Sequence, residues 1–249
     1  MSPRLLAAVA LLALGAAGCG GGDDDGTPEA ADVTAGSTAA PADSCSPGVH
    51  DLTLGNGQAA RMHVTPGGSG PRALIVALHG AGGTPTGAIE AFSGALNEPG
   101  VVLIAPASKG QTWSILRSEH DLDLESVNFA LAEAYERCSI DRRRLAVGGF
   151  SDGATYALTL GVSNGDLFPA VIAFSPGGIV AGEQRGIARF FVSHGTQDSV
   201  LPIASAGDAV VRKLREAGYP VTYRRFRGDH EVAPATSAAA MRWFLAGAP

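Results

Sequence analysis

From residue 51 onward the chain alternates short apolar runs with longer segments whose apolar residues recur at helical spacing. Two strand-like runs, Asp51–Leu54 and Ala60–Val64, flank Gly55-Asn56-Gly57, which predicts a hairpin. Ala73–His79 is a continuous β-rich run, as expected of a strand buried on both faces, and Val101–Pro106 is another. Leu145–Gly149, Ala170–Pro176, Arg189–Gly195 and Val221–Phe226 complete the strands. Helical patterns cover Thr86–Asn97, Asp123–Arg137, Gly153–Ser163, Ile203–Ala217 and Thr236–Leu245. An opening hairpin followed by repeated strand–helix units predicts an α/β fold. Its central sheet should be mostly parallel, with an antiparallel N-terminal hairpin and helices on both faces. Only residues 177–188 separate two of the strands, too few for a cap domain, so a site at the strand ends should be open and shallow.

The first residues follow a different pattern. Arg4 precedes an apolar run, Leu5 to Ala17, too short to span a membrane and shaped like a secretory leader. Ala16-Ala17-Gly18 before Cys19 resembles a bacterial lipobox, so residues 1–18 are expected to be removed and Cys19 lipidated. The usual leucine three residues before the cysteine is replaced by Ala16. Residues 19–44 are rich in Gly, Ala, Asp, Thr and Pro and predict a flexible tether, because they hold almost no apolar surface to bury. The folded domain should then occupy residues 45–249. This makes the protein an exported cell-envelope lipoprotein held to a membrane by its lipid, or a secreted or periplasmic protein if Cys19 is unmodified. With Cys19 set aside, Cys45 and Cys138 form an even pair, and a disulfide between them is expected in an oxidising compartment.

Composition narrows the partners. The 249 residues carry a net charge of −6 and only 6% aromatics, so a nucleic-acid surface is not expected. Hydrophobic residues make up 45% of the chain, enough for a full core and a monomer. The histidines and carboxylates show no metal-ligand spacing, so neither a metal nor a cofactor is expected.

Chemistry-bearing residues follow the strands. Gly149-Phe150-Ser151-Asp152-Gly153 has the spacing of a nucleophile elbow, a weak sign alone in a chain with 34 glycines. A serine hydroxyl needs a base in hydrogen-bond reach and a carboxylate to orient that base. In this topology the order is serine, acid, histidine, and only His194 and His230 follow Ser151. His194 precedes the acid candidates of its own loop, whereas His230 follows the last strand. Asp198, just after a strand, is the acid preferred over Asp229 and Glu231, which adjoin His230. The amide of Asp152 and that of Ala81, or Gly82 as the alternative, are the expected oxyanion donors. Trp113 follows another strand end and is a candidate substrate wall, while Asp121 and Asp123 are expected to cap the next helix.

The stretches LHGAGG, GGFSDGATYAL, AFSPGG, SHGTQDSVLP and GDHEV, taken together, resemble α/β-hydrolases. Their order and spacing are similar to the phospholipase/carboxylesterase branch, near dienelactone-hydrolase-like and polyhydroxybutyrate-depolymerase-like groups. The resemblance spans Ala73 to the C-terminus. It implies hydrolysis of carboxylic esters or thioesters of small molecules without metal or cofactor, with Ser151, Asp198 and His230 as the triad. Asp152 stands where Gln or Ala is more familiar, which bears on substrate preference. Peptidase or amidase action by the same triad, and a catalytically silent binding lipoprotein, are the competing readings.

Overall fold

The computed structural model describes residues 45–117, 121–180 and 182–247; the leader, the tether and Cys19 lie outside the described residues. The strands are β1 (Gly48–Thr53), β2 (Ala59–Val64), β3 (Arg72–Leu78), β4 (Val101–Pro106), β5 (Ile140–Phe150), β6 (Ala170–Phe174), β7 (Arg189–Gly195) and β8 (Val221–Phe226). They form one sheet in the order β1-β2-β4-β3-β5-β6-β7-β8. The β1–β2 and β2–β4 pairs are antiparallel, and every pair from β4 to β8 is parallel.

Alternation along the strands builds two cores. Leu74, Val76 and Leu78 of β3 face one side of the sheet, where they join Val127, Ala154 and Val210. These last three lie on helices α2 (Leu124–Arg137), α3 (Asp152–Ser163) and α4 (Gly207–Glu216). Ala73, Ile75 and Ala77 face the other side with Ala88 and Met241, from α1 (Pro85–Ala91) and α5 (Pro234–Ala246). Successive side chains of a strand point to opposite faces, so a run without polar residues is what a strand covered on both faces requires.

The connections decide where a ligand can sit. The chain leaves β3 through α1 to β4 on one side, then returns through α2 on the opposite face to β5, which pairs with the other edge of β3. That reversal opens a crevice at the carboxyl ends of β3 and β5, the usual ligand position in such sheets. Between β6 and β7, the described residues of 175–188 form neither helix nor strand.

Several boundaries depart from the periodicity. The segment predicted as one helix over Thr86–Asn97 ends at Ala91 and continues as a 3-10 turn, Ser93–Ala95. There the Gly94 backbone packs directly on α5 and its amide donates to Ser237 Oγ at 3.0 Å. The helix predicted from Ile203 starts only at Gly207, because residues 202–206 are held in turns on the Pro202 carbonyl. β5 begins five residues before the predicted strand, in a charged stretch that lies partly in solvent. A disulfide joins Cys45 to Cys138, tying the start of the domain to the end of α2 across 93 residues. Closing a loop of that length restricts the unfolded chain by about 4–5 kcal/mol in the chain-entropy estimate.

Candidate active site

Ser151 is the single residue between the end of β5 and the start of α3, with φ 55° and ψ −119°. A positive φ at a residue bearing a Cβ is strained by roughly 1–3 kcal/mol. The surrounding packing holds it there: the Ser151 amide donates to the Phe174 carbonyl at 3.0 Å. A Cβ on Gly153 would collide with the carbonyl oxygens of Leu78 and His79. The glycine therefore lets α3 start flush against the end of β3.

Three strand ends meet at this serine. His230, in the loop after β8, places Nε2 2.9 Å from Ser151 Oγ and Nδ1 2.8 Å from Asp198 Oδ2. Nδ1 faces a carboxylate, so it carries the proton, and Nε2 accepts from the serine hydroxyl. The Phe150 ring, 4.7 Å from the imidazole, steadies its plane. Asp198 follows β7; its Oδ1 accepts from the amides of Val200 at 3.0 Å and Leu201 at 2.7 Å. Burial pushes the Asp198 carboxyl up, but those amides and His230 outweigh it and hold the group below the ordinary carboxylate range. Asp229, set aside above as an acid, has a different role. Its Oδ1 accepts from the amides of Ser199 at 2.7 Å and His230 at 2.8 Å, tying the Asp198 turn to the histidine loop.

Sequence reasoning passed over His194. It is fully buried, and its Nε2 lies 2.8 Å from the Leu201 carbonyl and 3.1 Å from Asp198 Oδ2. Both neighbours are acceptors, so Nε2–H is the donor and Asp198 Oδ2 is shared by two imidazoles. His194 Nδ1 has no partner among the described residues and faces Gly207, where a Cβ would stand 2.7 Å away. The close spacing of His194 and Asp198, four residues apart on a strand end, was the available signal.

The loop after β3 passes beside the nucleophile: a Cβ on Gly80 would lie 3.2 Å from the Ser151 Cβ. The Ala81 amide has no acceptor among the described residues. The Asp152 amide opens α3, where the first N–H groups have no intrahelical acceptor. Gly82, the alternative donor, does not fit the part, because its amide already donates to the Gln111 carbonyl at 2.6 Å.

Trp113 corrects the sequence reading. It is fully buried rather than lining the site; its indole N–H donates to the His79 carbonyl at 2.9 Å. Its ring packs between His79 and Tyr156, at 4.8 and 5.1 Å. Burying the large apolar ring is favourable once that carbonyl satisfies its N–H. Asp123 is also corrected: its carboxylate makes no cap to α2 and instead accepts from the amides of Lys109 at 2.6 Å and Ser114 at 2.7 Å. The capping role falls to Asp121, which accepts from the Leu124 amide at 3.1 Å and from the Tyr156 hydroxyl at 2.7 Å. Burial pushes the Asp121 carboxyl above its ordinary range despite these donors.

No family model and no curated protein matches the chain. Solved structures do. The crystal structure of esterase PE8 is 22% identical over 76% of this chain and 97% of its own, with a TM-score of 0.58. An S-formylglutathione hydrolase (FrmB) from Staphylococcus aureus is 14% identical over 80% of this chain and 96% of its own, with a TM-score of 0.65. A ferulic acid esterase from Anaeromyces mucronatus is 19% identical over 78% of this chain and 89% of its own, with a TM-score of 0.58. The chain has the α/β-hydrolase fold that these likenesses share, with its crevice where the strand order reverses.

Proposed function

We propose that the protein is a serine hydrolase of carboxylic esters, working through an acyl-enzyme on Ser151. The observation that carries this reading is the line Ser151 Oγ, His230 Nε2, His230 Nδ1, Asp198 Oδ2, with both separations under 3 Å, on a strained serine at the switch point. Ser151 Oγ attacks the carbonyl carbon while its proton passes to His230 Nε2, and Asp198 stabilises the imidazolium. The Ala81 and Asp152 amides bind the oxyanion. As the intermediate collapses, His230 protonates the departing alcohol; it then activates the water that releases the acid and frees Ser151. The short β6–β7 connection supports short-chain or exposed acyl groups as substrates.

Thioesters are the second reading, favoured by S-formylglutathione hydrolases from two bacteria among the similar structures. The same attack serves both, and matched ester, thioester and amide substrates separate them and the amidase alternative. A fluorophosphonate probe should label the purified protein, and Ser151→Ala should abolish labelling and lower nitrophenyl-acetate kcat on the order of 10⁴-fold or more. Labelling and turnover that survive Ser151→Ala would overturn the assignment. A strong preference for long-chain nitrophenyl esters would contradict the open site.

The Cys45–Cys138 disulfide supports an oxidising compartment, in keeping with export and lipidation at Cys19. Detergent-phase partitioning of the expressed protein, lost in Cys19→Ala, checks the anchor.

A further inference from the structure

The residues after β4 bond to the neighbour of one expected oxyanion donor and to the side chain of the residue that carries the other. Gln111 accepts the Gly82 amide through its carbonyl, and Gly82 directly follows Ala81. The next residue, Thr112, donates its hydroxyl to Asp152 Oδ2 at 2.6 Å, and Asp152 carries the second donor on its own backbone. The same loop is fastened from below. Buried Asp123 accepts the Lys109 and Ser114 amides. The Ser108 amide donates to His79 Nε2 at 3.1 Å, and Trp113 donates to the His79 carbonyl. Burial pushes the His79 imidazole down, so it stays neutral and able to accept. These bonds hold residues 108–114 in place and link them to Gly82, beside Ala81, and to the Asp152 side chain.

We infer that residues 108–114 form a frame that sets the two oxyanion amides relative to each other, with Thr112 as a positioning residue that acts through the Asp152 carboxylate. This rests on the acyl-transfer reading of Ser151. A preorganised donor pair needs no reorganisation when charge develops, so its accuracy shows in kcat more than in KM. Asp152 is the first residue of α3, so the Thr112 hydroxyl, by holding its carboxylate, fixes the backbone that carries the donor amide. The identity of residue 152, unusual in the resemblance, then belongs to the geometry of the hole.

The test is a double-mutant cycle on nitrophenyl acetate with the full chain. Thr112→Val is close in shape and removes only the hydroxyl; Asp152→Ala removes its acceptor. Each should lower kcat about tenfold with KM within twofold, short of the ~100-fold loss from deleting a donor outright. The double variant should be no worse than either single, and Thr112→Ser should restore wild-type kcat. Thermal melting checks that each variant is folded. Additive losses, a Thr112→Val kcat within twofold of wild type, or a loss confined to KM would overturn the inference. Failure of the wild-type chain to turn over the ester would instead strike the acyl-transfer reading.

Discussion

Two irregular segments leave the carboxyl edge of the sheet near Ser151, and they are fastened in opposite ways. Residues 108–114, after β4, are bonded into the site through His79, Gly82 and Asp152. The described residues of 175–188, after β6, are bonded to α3. Gly177 and Val180 donate to the hydroxyls of Thr155 and Thr159 at 2.9 and 3.2 Å, and the Arg185 amide donates to the Val162 carbonyl. Its described residues are tied along α3, and Ser151 stays partly exposed. The contrast separates precision from access: one loop holds the oxyanion geometry, and the other leaves room for substrate.

The largest effect should come from Asp123→Ala. It strands two partly buried amides and should cost about 2–4 kcal/mol of stability, together with a fall in kcat. Urea unfolding and nitrophenyl-acetate kinetics measure both. Unchanged kcat in the folded variant would break the link between the frame and the chemistry.

An intermediate effect is expected from pH. Asp121, whose carboxyl is raised by burial, contributes stability that is full below the unfolded value, about 3.9, and lost as pH rises through its folded value. Asp198, whose carboxyl is depressed, contributes stability that is present above that unfolded value and lost as pH falls through its folded value. Between pH 3 and pH 7, Asp121→Asn should therefore gain stability relative to wild type as pH rises. Asp198→Asn should lose it. Denaturant midpoints across that range decide, and parallel trends for the two variants would refute the assignment.

The smallest effect belongs to the segment after β6. Thr159→Val removes a hydroxyl that donates to the Thr155 carbonyl and accepts from Val180, costing about 1 kcal/mol. Its kcat should stay within twofold of wild type. A larger loss would mean that this segment also shapes the site.

The elements and their order were legible because periodicity is local: an uninterrupted apolar run such as Ala73–Leu78 has few ways to be buried except between two helical layers. Ser151, Asp198 and His230 were legible as candidates because each lies within four residues after a strand, and parallel strands bring their carboxyl ends to one edge. Side-chain direction inside the loops was not legible. Whether Trp113 points at substrate or at the core, and whether Asp123 caps a helix or holds amides, depends on partners that only packing supplies. The same holds for the second imidazole on Asp198. It holds also for Asp152, whose hydroxyl partner lies 40 residues earlier in the chain. The sequence by itself determined which chemical groups stand at the strand ends. The tertiary structure alone decided which of them meet, because a hydrogen bond requires heavy atoms within about 3 Å and residue spacing along an irregular loop does not specify position to that accuracy.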